Sequence, residues 1–494
     1  MVISRKMDGK SRLDEVMNLA MKRGFFFQSC EIYPDAPSGF FDYGPNGVAL
    51  KNNVIAQWRK MLKNVGAMEI DGSQIMSKSV FIASGHLSSF TDPLIKCGKC
   101  GSIYRADKLI EEKTGKPVPE KLAIEDYDSL IEKNRISCDK CKGKLNKAGR
   151  WNMMFKTGIG PEEKEAYLRP ETCQTIFIDF PRMYMTMRMK FPQAVAQLGK
   201  SFRNEISPRQ GLLRMREFTQ AETEVFFNPK KTDIADFSNV KKCELMLMID
   251  GKTKKITAEE AVKKKTVSSQ LIAYYLSNIQ GFFETLGIPK EKIRMRKLSD
   301  EEKAFYAKEA WDLEIETSTG WVEMVACNNR GDYDLSGHAK QSGKNMEAMD
   351  ETEKFLPNIF ELSMGIDRTI YTLLDFALEK EKVKDEERVV LKLRPDVAPT
   401  QVAIFPLVNK DGLPEIAKKI YSQLSENFEA SYDCSGSIGK MYRRHDEIGT
   451  PFCITVDHQT KEDKTVTVRD RDSMKQKRVK IDKLIEEIGK GIKK

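Results

Sequence analysis

The pattern of apolar and polar positions divides the chain into stretches of different period. Apolar residues recur at helical spacing from Leu13 to Met21, and the run stops near Gly24. A longer helix is predicted from Pro45–Gly47 to Gly66, where Val48, Leu50, Val54, Ile55, Trp58, Met61 and Leu62 return at roughly helical intervals. Ahead of it, residues 25–50 are rich in Gly, Pro, Tyr and Phe and read as a short strand and turns. The segment MREFTQAETEVFF (215–227) alternates instead, which puts Phe218, Gln220, Glu222 and Glu224 on one side of a strand. WDLEIETSTGWVEMVACN (311–328) returns to strand alternation, and ELSMGIDRTIYTLLDFALEK (361–380) reads as a strand turning into a helix. Residues 229–310 are lysine-rich and contain the run SSQLIAYYLSNIQGFFETLG; they are predicted to form a helical insertion. EKEKVKDEERVV (379–390) reads as a charge-rich linker, and a compact α/β domain is expected after it.

Length and composition narrow the class. At 494 residues the chain is expected to form two or three domains. A net charge of +9 fits a folded protein with a basic face, for which RNA is a natural partner. No apolar run is long enough for a membrane-spanning helix, and the first residues lack the apolar core of a secretion signal. The ten cysteines are too sparse for a disulfide scaffold, so the cytoplasm is the expected compartment.

Two clusters carry chemistry. Four cysteines form CGKC (Cys97, Cys100) and CDKC (Cys138, Cys141), a spacing that points to a structural tetrathiolate zinc site; iron–sulfur ligation and free thiols are the alternatives. The other lies in SFRNEISPRQGLLRMREFTQAETEVFF (201–227), where Arg203, Glu205, Arg214, Arg216 and Glu217 stand between apolar runs. Carboxylates repeated along one strand face suit a polar cavity, because buried charges need partners. Arginine forks beside them suit a polyphosphate. A solvated hairpin with incidental ion pairs is the competing reading.

SFRNE, a loop and REF resemble motif 2 of the class II aminoacyl-tRNA synthetases. With RPETCQTIF (169–177) and ELSMGIDRTIY (361–371), the chain resembles the glycyl-tRNA synthetases of the archaeal and eukaryotic homodimeric type. YGPNGVALKNN (43–53), YRADKL (104–109), NNRGDYDLSGHAK (328–340), YRRHDEIGTPFCITVDHQT (442–460) and KTVTVRDRDSM (464–474) extend the resemblance over most of the chain. It implies an α/β (α+β) fold: a catalytic core on a mostly antiparallel sheet flanked by helices, then a C-terminal α/β anticodon-binding domain. The implied limits are 1–384 for the catalytic domain, with a zinc-binding insertion at 91–150 and the helical insertion at 229–310, and 385–494 for the tail domain. The implied activity is glycine activation with ATP and transfer of glycyl to the 3′-terminal adenosine of tRNA-Gly. Glycine, ATP with Mg2+, and tRNA-Gly are the expected partners, along with a second copy of the chain. No membrane and no DNA partner is expected.

The same resemblance distributes roles. Arg203, Arg214 and Arg368 match the phosphate-binding arginines of the catalytic centre. Glu205 and Phe218 match adenine-binding positions. Glu171, Glu222, Glu361 and Ser363 match glycine-binding positions, with magnesium or network duty as the alternative for Glu361. Glu323 and Arg330 are expected as walls of the amino-acid pocket or as structural ion pairs. Zinc would be held by Cys97, Cys100, Cys138 and Cys141. In the tail domain, Arg443 and Arg444 beside Asp446 and Glu447, and a patch of Arg469, Arg471 and Lys475, are expected to face RNA. The chain departs from the family wording at Cys173 and Thr175, both larger than usual, at residues 180–195, and at Asn46. The competing functions are a synthetase of the same scaffold for alanine or serine, and an RNA-binding relative without catalysis. The latter should lack phosphate arginines, and all three are present.

Overall fold

The computed structural model describes residues 9–492, apart from 120–121, 209–210, 305, 352 and 384–385. Its centre is a sheet of nine described strands. In chain order these are β1 (Met68–Ile70), β2 (Gln193–Phe202), β3 (Glu217–Phe227), β4 (Glu244–Ile249), β5 (Lys252–Thr257), β6 (Ile293–Lys297), β7 (Glu309–Thr317), β8 (Gly320–Gly331) and β9 (Asn358–Gly365). Across the sheet they run β5-β4-β6-β7-β8-β9-β3-β2-β1. Neighbours are antiparallel except where β1 meets β2 and β4 meets β6.

Helices cover one face: α1 (Gly9–Lys22), α2 (Pro45–Asn64), α4 (Gln270–Thr285) and α6 (Ile366–Ala377). Their apolar stripes meet the odd-numbered residues Ala221, Val225 and Phe227 of β3 in the main core. The expected boundaries of α1 and α2 agree with this closely. On the opposite face α3 (Cys173–Met187) and α5 (Tyr333–Ser342) cover only part of the sheet. The even-numbered face of β3 is therefore left for polar chemistry in its middle, while Phe226 at its end packs under Phe180 at 4.7 Å. Gly199 on β2 is needed for the close approach of Arg169, whose guanidinium would lie 2.0 Å from a Cβ there.

Three expectations are corrected. Residues 229–310 do not form a helical insertion. They supply β4, β5 and β6 to the main sheet, and α4 is buried within the main core. The short lysine-rich strand β5 (KTKKIT) lies at the sheet edge with little apolar content to betray it. Nor is 379–390 a linker. Strands Leu378–Val383 and Glu386–Leu391 form an antiparallel hairpin in which Glu381 faces Arg388 and Lys382 faces Glu387.

Arg388 is buried and donates to Asp446 Oδ2 at 2.8 Å, Glu381 Oε2 at 2.6 Å and the Arg471 carbonyl at 2.7 Å. The hairpin is thus fastened to the C-terminal five-stranded sheet, which has its own apolar core. Arg469 and Arg471 belong to the same knot. Arg469 pairs with buried Asp446, and Arg471 donates to the carbonyls of Leu393 and Gly449. They are buried structural cations rather than the exposed patch their sequence context suggests. Glu447 accepts from Arg23 at 2.6 Å, which ties the region just after α1 to this part of the chain.

Residues 91–152 form a small body with its own core around Ile95, Leu109, Ile110 and Tyr127. Strand Thr91–Lys96 pairs with Ile103–Arg105 on one side and Gly149–Asn152 on the other.

Candidate active site

Strands β2 and β3 are joined by a loop that carries the predicted arginines to the open face of the sheet. Arg203 leaves β2 with its Nε donating to the Pro170 carbonyl at 3.1 Å. Its guanidinium lies 5.5 Å from the Phe90 ring and 5.3 Å from the Phe218 ring. Among the described residues its terminal nitrogens carry no hydrogen bond to protein. Arg214 is held differently, donating twice to Glu205 Oε2 at 2.9 and 2.5 Å, with Asp92 at 4.0 Å. Arg368, in the first turn of α6, donates to the carbonyls of Leu213 (3.2 Å) and Glu323 (2.9 Å). These three arginines, with Glu205, Phe218 and Glu323, line one cavity of about 160 Å³, which Ser363 and Gln220 also border. Arg216 stands outside it and braces the loop through the Glu205 and Ser38 carbonyls.

The acidic cluster lies beside this cavity. The register β3–β9 sets Glu222 opposite Ser363 and Glu224 opposite Glu361, so four polar residues share one patch of sheet. Glu222 is fully buried and accepts from Thr172 Oγ1 (2.6 Å), Ser363 Oγ (2.7 Å) and Gln220 Nε2 (2.7 Å). Glu171 accepts from Gln174 Nε2 at 2.8 Å and lies 3.4 Å from His86 Nε2. Glu361 accepts from Asn328 at 2.8 Å and from Arg330 at 2.9 Å. Arg330, itself only 2 % exposed, grips Asp334 with two bonds of 2.6 and 2.8 Å and lies over the Tyr306 ring at 4.3 Å.

Burial and mutual repulsion push these carboxyls apart in acidity. Burial raises Glu222, and neighbouring Glu171 raises it further, against hydrogen bonds from Thr172 and Ser363. Burial and Glu361 raise Glu224 still more, and neither of its oxygens has a hydrogen-bond partner among the described residues. Burial lifts Glu361 to about 7 although Arg330 pulls it down. Glu171 goes the other way: burial would raise it, but His86, Arg330 and Gln174 outweigh that and hold it well below the usual carboxylate range. Glu171 is therefore the anionic member facing the second cavity, of about 210 Å³, whose lining includes His86, Phe90, Tyr306, Arg330 and Arg203. Arg203 borders both cavities. An ammonium placed among the carboxylates would leave its own carboxylate near Arg203, with the arginine-lined cavity on the other side.

The structure brings together every predicted residue of the nucleotide and amino-acid groups, but it separates Glu323 from Arg330. Glu323 borders the arginine-lined cavity and is half exposed, while Arg330 is the buried centre of the carboxylate network. The two departures in RPETCQTIF also separate. Cys173 Sγ lies within 4.8 Å of carboxylate oxygens of Glu171 and Glu222, and of Glu224 and Glu361. Thr175 faces away, against Gly72. His86, Thr172, Gln174, Asn328 and Tyr306 were not singled out from the sequence. Thr172 and Gln174 flank Cys173 in the quoted motif, whereas His86 arrives from a one-turn helix, His86–Ser89, with no local signal.

This fold and site define a class II aminoacyl-tRNA synthetase. Residues 155–376 match the family model described as tRNA synthetase class II core domain (G, H, P, S and T), and residues 401–491 match the anticodon binding domain. The glycine--tRNA ligase of Pyrococcus furiosus is 40 % identical over an alignment covering 96 % of this chain and 98 % of that protein. That of Methanocaldococcus jannaschii is 38 % identical, covering 98 % and 100 %. The chain belongs to the glycine--tRNA ligase family. Among solved structures, a threonyl-tRNA synthetase structure from Cryptosporidium parvum, titled as its RNA binding domain, superposes with a TM-score of 0.60 at 17 % identity, covering 96 % of this chain and 98 % of that one. Prolyl-tRNA synthetase from the same organism, complexed with halofuginone and AMPPNP, gives 0.59 at 14 % identity, covering 97 % and 75 %. Both are likenesses of fold.

Proposed function

We infer that the chain activates glycine with ATP and transfers the glycyl group to tRNA-Gly. The glycine carboxylate attacks the α-phosphorus, the bond to the β-phosphate oxygen breaks, and pyrophosphate leaves. A 3′-terminal hydroxyl of the tRNA then attacks the carbonyl carbon, gives up its proton, and AMP leaves. The carboxylate is already a nucleophile at neutral pH, so the protein's work is placement and charge neutralisation. The observation that carries this reading is Arg203, shared by the cavity that Glu171 faces and the arginine-lined one.

In this reading Arg203 holds the α-phosphate and the glycine carboxylate. Arg214, positioned by Glu205, takes the γ-phosphate end of ATP, which enters with its Mg2+. Phe218 and Arg368 sandwich the adenine. Glu171 and Glu222 receive the ammonium, Ser363 adds a hydroxyl contact, and Glu361 fixes Arg330. A pocket walled by buried carboxylates rejects a methyl group because the methyl would displace their partners. The catalytic unit is read as 1–384 and the anticodon-binding unit as 385–494. Pairing of two chains is assigned to α2 and the edge strand β1, and the compartment to the cytoplasm. Among the described residues no helix is long and apolar enough to cross a membrane.

Amino-acid-dependent ATP–pyrophosphate exchange with glycine, alanine and serine in parallel tests the reading. Exchange is expected with glycine alone; exchange with alanine or serine of similar efficiency would overturn the selectivity assigned to this pocket.

The four thiols of Cys97, Cys100, Cys138 and Cys141 converge within 4.8 Å of one another, which fits tetrahedral Zn2+ held by all four, with no position left for a substrate. Zinc there would cross-link the turns at 97–100 and 138–141 and stabilise the small body around them. Elemental analysis is expected to give one zinc per chain, and Cys138→Ser is expected to abolish it and open 91–152 to limited proteolysis. A zinc-free, equally resistant wild-type protein would refute the assignment.

A further inference from the structure

Asp367 is 1 % exposed and stands one residue before Arg368, in the first turn of α6. Its Oδ1 accepts from the Tyr43 hydroxyl at 2.5 Å, and its Oδ2 accepts from the backbone N–H of Thr219. Lys51 Nζ lies 4.0 Å from Oδ1, donates to Thr219 Oγ1 at 2.5 Å, and sits 4.6 Å over the Tyr43 ring. One carboxylate thus joins three separate pieces of chain: the entry to α2, the start of β3 and the start of α6. Its place in the first turn of a helix suits its charge.

The positions of these bonds are informative. Thr219 follows Phe218 and Asp367 precedes Arg368, so the clamp acts one residue away from each side of the cleft read as the adenine site. Phe218 and Arg368 come from different elements, and among the described residues no direct bond between them sets their spacing. Asp367 itself borders that cavity, whereas Tyr43 and Lys51 do not, so their variants test positioning free of any direct contact with the nucleotide. Burial, then the neighbouring Asp367, holds the Tyr43 phenol well above its ordinary range, which keeps it a proton donor across working pH.

We propose that Asp367, fixed by Tyr43, Lys51 and Thr219, is a positioning residue that sets the gap between Phe218 and Arg368 to the thickness of a purine ring. The proposal rests on the nucleotide reading given above. It is tested by KM for ATP and KM for glycine, measured separately, in Tyr43→Phe, Asp367→Asn and Asp367→Ala, with Phe218→Leu as a control.

Loss of one bond to a buried charge is expected to raise KM for ATP about three- to tenfold in Tyr43→Phe, with KM for glycine unchanged within about twofold. Asp367→Asn keeps one acceptor and should fall between Tyr43→Phe and Asp367→Ala. A purely structural role would instead lower the unfolding midpoint and move both KM values together. Normal KM for ATP in folded Tyr43→Phe and Asp367→Asn, beside a raised value in Phe218→Leu, sinks the clamp alone. A normal value in Phe218→Leu as well sinks the adenine reading beneath it. Should Asp367→Ala fail to fold, Tyr43→Phe, which leaves the carboxylate in place, decides the matter.

Discussion

Arg203→Ala is expected to lower glycine-dependent ATP–pyrophosphate exchange by about 10²–10³-fold, the usual loss when one preorganised donor to a developing charge is removed. The expectation follows from how little else Arg203 does. Among the described residues its side chain makes one hydrogen bond, to the Pro170 carbonyl, and lies against two aromatic rings. Among the described residues it pairs with no carboxylate, so its removal should lower unfolding stability by only about 1–3 kcal/mol, the scale of two cation–π contacts and one hydrogen bond. Arg214 provides the contrast: it is engaged with Glu205, and its removal would also free that acid. Arg203→Lys keeps the charge but not the fork, and should recover only part of the rate. Exchange kinetics paired with urea unfolding check this. A stable Arg203→Ala protein that exchanges at the wild-type rate would remove Arg203 from the mechanism and, with it, the reading of the two cavities as one site.

How far the site was legible depends on how local its signals are. The face Phe218–Gln220–Glu222–Glu224 could be read because a strand repeats every two residues, and β3 keeps that repeat without a bulge. Glu361 and Ser363 were placed by the family resemblance and not by the repeat, and the register sets them opposite Glu224 and Glu222. His86 could not be read: its partner Glu171 is 85 positions away, and nothing near SGHLSSF announces the contact. The hairpin at 378–391 looked like a linker because its charges alternate in sign, yet that alternation is what pairs its two strands. Arg469 and Arg471 looked like a surface patch because the acid that neutralises Arg469, Asp446, lies on another element. For His86, Arg469 and Arg471 the deciding partner is remote in sequence, and composition alone carries no trace of it.

The second large effect concerns stability. Arg330 is a buried cation bonded to Asp334 and Glu361 and close enough to Glu171, Glu222 and Glu224 to lower all three. Arg330→Met preserves bulk and removes the charge, leaving a cluster of carboxyls with no cation at its centre. Breaking a buried pair from one side costs about 3–5 kcal/mol, and that loss is expected at neutral pH.

Its pH dependence has a definite sign. Glu361 is already lifted to about 7 in the presence of Arg330, and without it Glu361, Glu222 and Glu224 rise further. A carboxyl whose folded value lies above its unfolded one makes the folded state hold the extra proton, so stability falls as pH rises between the two values. Glu171, held low partly by Arg330, now loses a contribution that was present at neutral pH. The rise of Glu361, Glu222 and Glu224 makes the penalty larger at pH 8 than at pH 5.5, where these acids can protonate, whereas the loss at Glu171, whose window lies below its ordinary value, is the same at both. Urea midpoints of wild type and Arg330→Met at the two pH values measure it, and adding Glu361→Gln should restore part of the loss at pH 8 and little at pH 5.5. A penalty that is the same at both pH values would mean that Arg330 acts through packing on Tyr306 and Phe177 rather than through charge. The carboxylates would then have to be neutralised by one another's protons. A pocket in that state has little anionic charge to offer an ammonium, so the same pair of measurements bears on glycine recognition as well as on the fold.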